Sequence, residues 1–307
     1  MIDLPARTRR VSGTRLLDLC RARGIASIVD PFMGLPMHLN TLKRHGLVVH
    51  GGDLLEWFVR AGEGLVVNDF TILRDNEVAE IVEMLPGRIY PTDLFRAWEG
   101  VFFTEDQCRY LGVWHANVHG LRSDGQTGLA IVGLWHVLAH WLLKARYPDD
   151  LIDVPPSELA WHYIRETERW VVENGKRNTV RRGDFATTLG AVRADAVYLA
   201  PPGRSGAKRI DARVWMWEAW WHGDPYLNVE RLYRDTVFGG RSNDDAGYDR
   251  AVGEVLRAAE SAPFVIVQAT PRDAARFERL MHLHRPQVEV VAPDPEELYI
   301  IGIGAKS

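Results

Sequence analysis

Two aspartates raise the first chemical question. Asp30 closes the apolar run "IASIVD", and Asp53 closes "LVVHGGD" further along. Between them lie the turn "PFMGLP", containing Gly34, and a helical stretch through "LNTLKRHG" with Gly46 as its expected C-cap. A strand, a glycine turn, a helix and a second strand tipped by an acid form the layout of a nucleotide-binding α/β unit. The glycine lets the backbone approach a ligand, and the acid receives ribose hydroxyls. The run "GLVVND", ending at Asp69, is a second candidate for the acid-tipped strand. Asp53 is preferred because its strand comes first after the helix.

A second place with chemical meaning is "AVYLAPPG", residues 196–203. Pro201 and Pro202 remove two backbone donors and fix two φ angles, so the chain leaves the strand rigidly. Rigid exits at the carboxyl ends of strands are where open α/β sheets place their chemistry. Here the exit is flanked by Ala200 and Gly203, which carry no functional group. Two histidine pairs, His115/His119 and His136/His140, fall at i,i+4 as metal ligands on one helical face would. Neither pair has the H-E-x-x-H glutamate and no cysteine completes a site, so they are expected to be satisfied core or surface groups. The tryptophans Trp215, Trp217, Trp220 and Trp221 are expected to pack in a core or against a partner rather than to stack on bases. Asp224-Pro225-Tyr226 follows a helix and reads as a turn.

The elements that must position these residues fall into three stretches. The chain opens with a helix at about 13–23 and the α/β unit above. From about 71 to 170 helical periodicity takes over, in "NEVAEIVEML", "EDQCRYLGVWHANVHGL", "LAIVGLWHVLAHWLLKA" and "SELAWHYIRETERWVVEN". The α/β pattern then resumes with "NTVRRGDF" and "ADAVYLAPPG", followed by the Trp-rich helix, a polar loop at 239–247 and a helix at 248–261. After "PFVIVQAT" and a helix through 271–284, two runs, "QVEVVA" and "ELYIIGIG", are joined closely enough to be a hairpin.

Composition fits this layout. With 307 residues, 46% hydrophobic and 25% charged, the chain suits one large soluble domain or one domain with an insert. Two cysteines, Cys20 and Cys108, form no framework, so reduced thiols and a cytoplasmic setting are expected. "MIDLPARTRR" has no apolar signal core, and the apolar stretch 128–143 is too short to span a membrane. A net charge of −4 argues against indiscriminate nucleic-acid binding. The basic residues nevertheless gather, at Arg7, Arg9, Arg10 and Arg15, at Lys176, Arg177, Arg181 and Arg182, and at Arg204, Lys208, Arg209 and Arg213. Each cluster is either a solvated surface or part of a face for a phosphate backbone.

Taken in order, these residues resemble the adenine-specific DNA methyltransferases that modify the exocyclic amine. "VDPFMG" (29–34) is similar to that family's first cofactor motif, [DE]-P-F-x-G-x-G, and "RRVSGTRLLDLC" (9–20) to the segment before it, with G-x-K. "RGDF" (182–185) resembles the D-F pair that receives the cofactor's adenine, and "ADAVYLAPPG" sits where the family has a strand and then D-P-P-Y. The resemblance implies a Rossmann-like methyltransferase sandwich of the α/β class. It would have a mostly parallel seven-stranded sheet ending in an antiparallel C-terminal hairpin, formed by residues 1–70 and 171–307. A helical, target-recognition-like insert would occupy 71–170. It further implies that Gly13, Arg15, Asp30, Phe32, Gly34, Asp53, Asp184 and Phe185 border S-adenosylmethionine. Double-stranded DNA would meet Lys176, Arg177, Arg181, Arg182, Arg204, Lys208 and Arg209. No membrane association is implied.

The departures fall on the most demanding positions. Ala200 replaces the amine acceptor and Gly203 the aromatic platform, leaving Pro201 and Pro202 of the catalytic motif. Pro36 stands where the second glycine belongs, and Arg15 replaces lysine, keeping charge but not shape. An unpaired amine donor costs about 1–3 kcal/mol, and lost base stacking roughly another 1–3 kcal/mol. The expectation is therefore a degenerate family member acting as a DNA-binding or scaffolding subunit of a DNA modification or defence system, alone or beside a partner protein. S-adenosylmethionine would bind only if the site is intact. The alternatives are an active adenine methyltransferase with a rebuilt pocket, and a different base-modifying chemistry on the same scaffold.

Overall fold

A computed structural model of the chain describes residues 13–142, 154–201, 212–228, 231, 236–238, 244–294 and 297–304. Seven strands form one sheet: β1 (Ser27–Asp30), β2 (Val48–Asp53), β3 (Thr179–Arg182), β4 (Ala196–Leu199), β5 (Phe264–Ala269), β6 (Gln287–Asp294) and β7 (Glu297–Ile303). Their order across the sheet is β3-β2-β1-β4-β5-β7-β6. The pairs β1–β2, β1–β4, β2–β3 and β4–β5 are parallel, whereas β7 runs antiparallel to both β5 and β6. The chain is thus α/β with a mostly parallel sheet and an antiparallel C-terminal pair.

Register decides what each face buries. Val29 lies beside Val197, and Val197 beside Val265. These valines join Val267, Ile300 and the helices Asp245–Ala258 and Pro271–His282 in one apolar cluster. Side chains alternate along a strand, so Asp30, Tyr198 and Gln268 belong to the opposite face. The strand order reverses between β1 and β4, and in open α/β sheets ligands bind at the carboxyl ends of strands beside such a reversal.

Contact density divides the chain into two compact units. One holds the whole sheet with its helices. The other holds the helices between Arg60 and Glu173 and also the helix Ala212–His222. The helical unit thus starts earlier than the expected residue 71 and takes a helix expected in the sheet domain. The Trp-rich helix accounts for the second difference. Trp217 lies 5.4 Å from Trp135, Trp215 lies 5.7 Å from Trp98, and Trp220 Nε1 donates to the Leu111 carbonyl at 3.0 Å. Its apolar surface is satisfied inside the helical unit.

One expected strand is not a strand. "GLVVND" belongs to a π-helical turn, Glu63–Val67, that continues the helix Glu56–Gly62. Leu65 and Val66 are fully buried there. A Cβ on Gly64 would lie 2.6 Å from the Gly128 backbone, so this turn packs directly against the helix Asp124–Leu142. Tertiary packing overrides the β preference of the Val-Val pair. Asp69 therefore tips no strand and lies in the helical unit. No helix among the described residues is long and apolar enough to cross a membrane.

Candidate functional site

The tips of β1, β2 and β3 are bound together around Asp53. After β1 the chain turns through Gly34, at φ +54°, which glycine adopts without strain. Met33 N–H donates to the Gly52 carbonyl at 3.0 Å, and Gly34 N–H donates to Asp53 Oδ2 at 2.9 Å. The other carboxylate oxygen, Oδ1, accepts Leu55 N–H at 2.9 Å. The Asp53 carbonyl accepts Gly183 N–H at 3.0 Å, which brings the loop after β3 to the same place. Two glycines of β2 permit this convergence. A Cβ on Gly51 would meet Met33 Sδ at 2.3 Å, and one on Gly52 would meet Thr188 Oγ1 at 1.9 Å.

Asp184 and Phe185 arrive on that third loop. Asp184 caps the helix Phe185–Ala191, with Oδ1 accepting both Thr187 N–H and Thr187 Oγ1–H at 2.8 Å. The Phe185 ring centroid lies 6.4 Å from that of Phe32, and Phe238 meets Phe32 edge-on at 5.6 Å. Asp30 is wholly buried at the tip of β1. Its Oδ1 accepts Phe32 N–H at 2.8 Å, and its Oδ2 lies 2.7 Å from His38 Nε2. The His38 ring packs 5.5 Å from Tyr198 on β4, and Tyr198 O–H donates to Gln268 Oε1 at 2.6 Å.

The sheet thus brings Asp30, Phe32, Gly34, Asp53, Asp184, Phe185 and the strand leading to Ala200 to one end of one unit. Ala200 is half-buried and Pro201 buried. Pro202 and Gly203 lie outside the described residues, as do Arg204, Lys208 and Arg209. Gly13 opens the first helix, where a Cβ would stand 2.7 Å from Thr41, so its smallness serves packing between helices. Arg15 is half-buried on the same helix.

Set against S-adenosylmethionine, the residues present do not fit as they stand. Asp30 turns both oxygens inward, and Asp53 gives both of its oxygens to backbone N–H groups of its own loops. A flat base inserted between two rings needs about 7 Å, twice the 3.5–4.0 Å contact distance. The Phe32 and Phe185 rings stand closer than that, with Phe238 against one of them. Asp53 already anchors two loops, and Asp30 is wholly buried.

Basic residues flank that end along β3, where Arg181 and Arg182 pair with Gly52 and Asp53. Lys176, Arg177, Arg181 and Arg182 are exposed on the edge strand β3 and the loop before it. The loop is pinned by asparagines. Asn174 Nδ2 donates to the carbonyls of Lys43 and Leu47, Asn178 Nδ2 donates to Asn174 Oδ1, and Val49 N–H donates to Asn178 Oδ1. Arg182 is tied to Glu56. Burial, and then the charge of Arg181, hold His50 below the usual histidine range.

A cavity of about 260 Å³ lies at the other end of the strands, lined by Ser27, Arg193, Asp195 and Ser261 among others. Several of its polar groups bond to the protein itself. Asp195 Oδ2 accepts the N–H groups of Ala26 and Ser27, and Arg193 donates to Ser261 Oγ at 2.8 Å. In the helical unit, His119 Nε2 lies 2.9 Å from the Trp221 carbonyl and His140 Nδ1 lies 3.1 Å from Tyr163 Oη. Among the described residues no group of three or more His, Cys, Asp or Glu side chains could hold a metal.

Sequence reasoning missed His38 and the asparagine pins. His38 had no motif around it, and only the fold reveals that the first turn of the helix Met37–Arg44 lies over Asp30. No protein-family model matches the chain, and no curated protein shows significant similarity to it.

Proposed function

We propose that this protein is a methyltransferase-like DNA-binding protein that has lost the usual adenine chemistry and serves as a binding or scaffolding subunit in DNA modification or defence. The observation that carries the reading is at the tips of the central strands. β4 is followed directly by Ala200, a methyl group where an amine acceptor is needed, while the acids ending β1 and β2 are bonded to the protein's own backbone and to His38. The seven-stranded sheet with its antiparallel closing pair supports the same scaffold. Lys176, Arg177 and Arg181 supply a fixed basic edge that suits phosphates, which position a duplex without reading its sequence.

The test is fluorescence anisotropy with duplex DNA across a range of salt concentrations. Binding should weaken as salt rises, and Lys176→Ala, Arg177→Ala and Arg181→Ala should each reduce the log–log salt slope by about 0.9. Salt-independent binding, or variants indistinguishable from the parent, would remove DNA from the reading.

One observation favours a second reading, an active methyltransferase with a rebuilt pocket. The His38–Asp30 pair is a base oriented by an acid, packed against Tyr198 two residues before Ala200. In that reading His38 would orient a target group in place of the missing acceptor. His38→Gln would then abolish methyl transfer, whereas in the first reading there is no transfer to abolish.

A further inference from the structure

The cavity at the amino ends of β1 and β4 carries one charge of each sign. Among the described residues that line it, Arg193 and Asp195 are the only charged ones. Arg193 is exposed and its Nη1 donates to Ser261 Oγ at 2.8 Å, while no described residue accepts from its Nε and Nη2 edge. That edge is the fork that a carboxylate meets with two parallel hydrogen bonds. Asp195 commits Oδ2 to the N–H groups of Ala26 and Ser27 and leaves Oδ1 with no partner among the described residues. The two side chains form no ion pair with each other, although both line the same space.

The rest of the lining limits what can enter. Val29, Leu189, Val197 and Ala259 come from the apolar cluster of the sheet unit. Ser27 and Ser261 add hydroxyls, of which Ser27 Oγ already accepts Asp195 N–H at 2.8 Å. The volume of about 260 Å³ falls below the roughly 300–1,000 Å³ of pockets for drug-sized ligands. The matching occupant is small, partly apolar, and carries an anionic and a cationic group close together. An anion alone would meet the charge of Asp195, and a cation alone that of Arg193. We infer that this cavity binds a free α-amino acid with an aliphatic side chain. Its carboxylate takes the Arg193 fork, its ammonium takes Asp195 Oδ1, and its side chain lies on the valines and Leu189. The inference goes beyond the DNA reading above and uses none of the basic residues on which that reading stands.

The test is calorimetric titration of the full chain with L-leucine, with leucinamide, which lacks the carboxylate, and with isocaproate, which lacks the ammonium. Leucine should bind, and the other two should bind about tenfold more weakly or worse. Arg193→Gln should weaken leucine binding about tenfold. Its thermal melt should match the parent, because the side chain is exposed and holds only a serine hydroxyl. Asp195→Asn keeps an acceptor for Ala26 and Ser27 but removes the charge. It should weaken leucine and strengthen isocaproate, a reversal that loss of structure would not produce. Absence of leucine binding, equal affinity for all three compounds, or undiminished binding by Arg193→Gln would overturn the inference. Tighter binding of isocaproate than of leucine by the parent would also overturn it, by making the cavity a site for simple carboxylates. Failure of the parent to bind duplex DNA bears only on the reading above.

Discussion

Asp53 accepts the N–H of Gly34 at 2.9 Å and that of Leu55 at the same distance, so one carboxylate fixes both the loop after β1 and its own strand exit. An ionised carboxylate offers about four acceptor positions, and two of them are taken by these loops. This one is a structural clamp. Asp53→Ala leaves two N–H groups without their charged acceptor and should cost about 2–4 kcal/mol. Asp53→Asn keeps one acceptor and should cost about half as much. Urea denaturation of both variants checks the order, and an Asp53→Ala protein as stable as the parent would free this carboxylate for a ligand.

Gly128 and Gly64 let two helical segments touch backbone to backbone. A Cβ on Gly128 would lie 2.3 Å from the Arg60 carbonyl oxygen and from Gly64 N, with no flexible side chain to move away. Gly128→Ala should destabilise the helical unit by about 1–3 kcal/mol or more. Thermal melting followed by near-ultraviolet dichroism, dominated by the unit's tryptophans, would register it.

Acid should loosen the same unit. Burial, reinforced by the charge of His119, holds His115 down to about 4, and burial with Arg169 holds His136 down to about 4. Both imidazoles stay neutral in the folded chain at pH values where the unfolded chain, near 6.5, binds protons. Their contribution is therefore complete above about pH 6.5 and is lost as pH falls toward 4. Denaturation midpoints at pH 7, 5.5 and 4.5 should fall in that order, and His136→Gln should flatten the decline.

Both cysteines should be inert in the native protein. Burial pushes Cys20 up to about 12, and burial with Glu99 pushes Cys108 up to about 11. Little thiolate exists at pH 8, so an aromatic disulfide reagent should label neither until denaturant is added. Rapid labelling of the folded chain would place one of them at an accessible site.

The central strands were legible because each pairs an apolar run with a punctuating acid or proline, as Asp30, Asp53 and Pro201 do for β1, β2 and β4. The run through Val66 and Val67 misled for a physical reason. Its β-branched residues are placed by the Gly64–Gly128 contact, which sequence periodicity does not register. The allocation of the Trp-rich helix was hidden for a similar reason, since Trp98 and Trp135 are distant in sequence from the tryptophans they meet. At the site, Asp30, Phe32, Gly34, Asp53 and Phe185 were found as a set, but their spacing could not say where their polar atoms point. That depended on His38, Leu55 and Thr187, which no motif singled out.

The most direct test is transfer of a radiolabelled methyl group from S-adenosylmethionine to duplex DNA, with cofactor binding followed by calorimetry on the same preparation. A chain with Ala200 directly after β4 and acids that clamp their own loops should transfer no label and give no binding heat, while keeping salt-sensitive affinity for the duplex. Micromolar cofactor binding together with labelled adenine would contradict the loss of catalysis and make the His38–Asp30 pair the group to pursue.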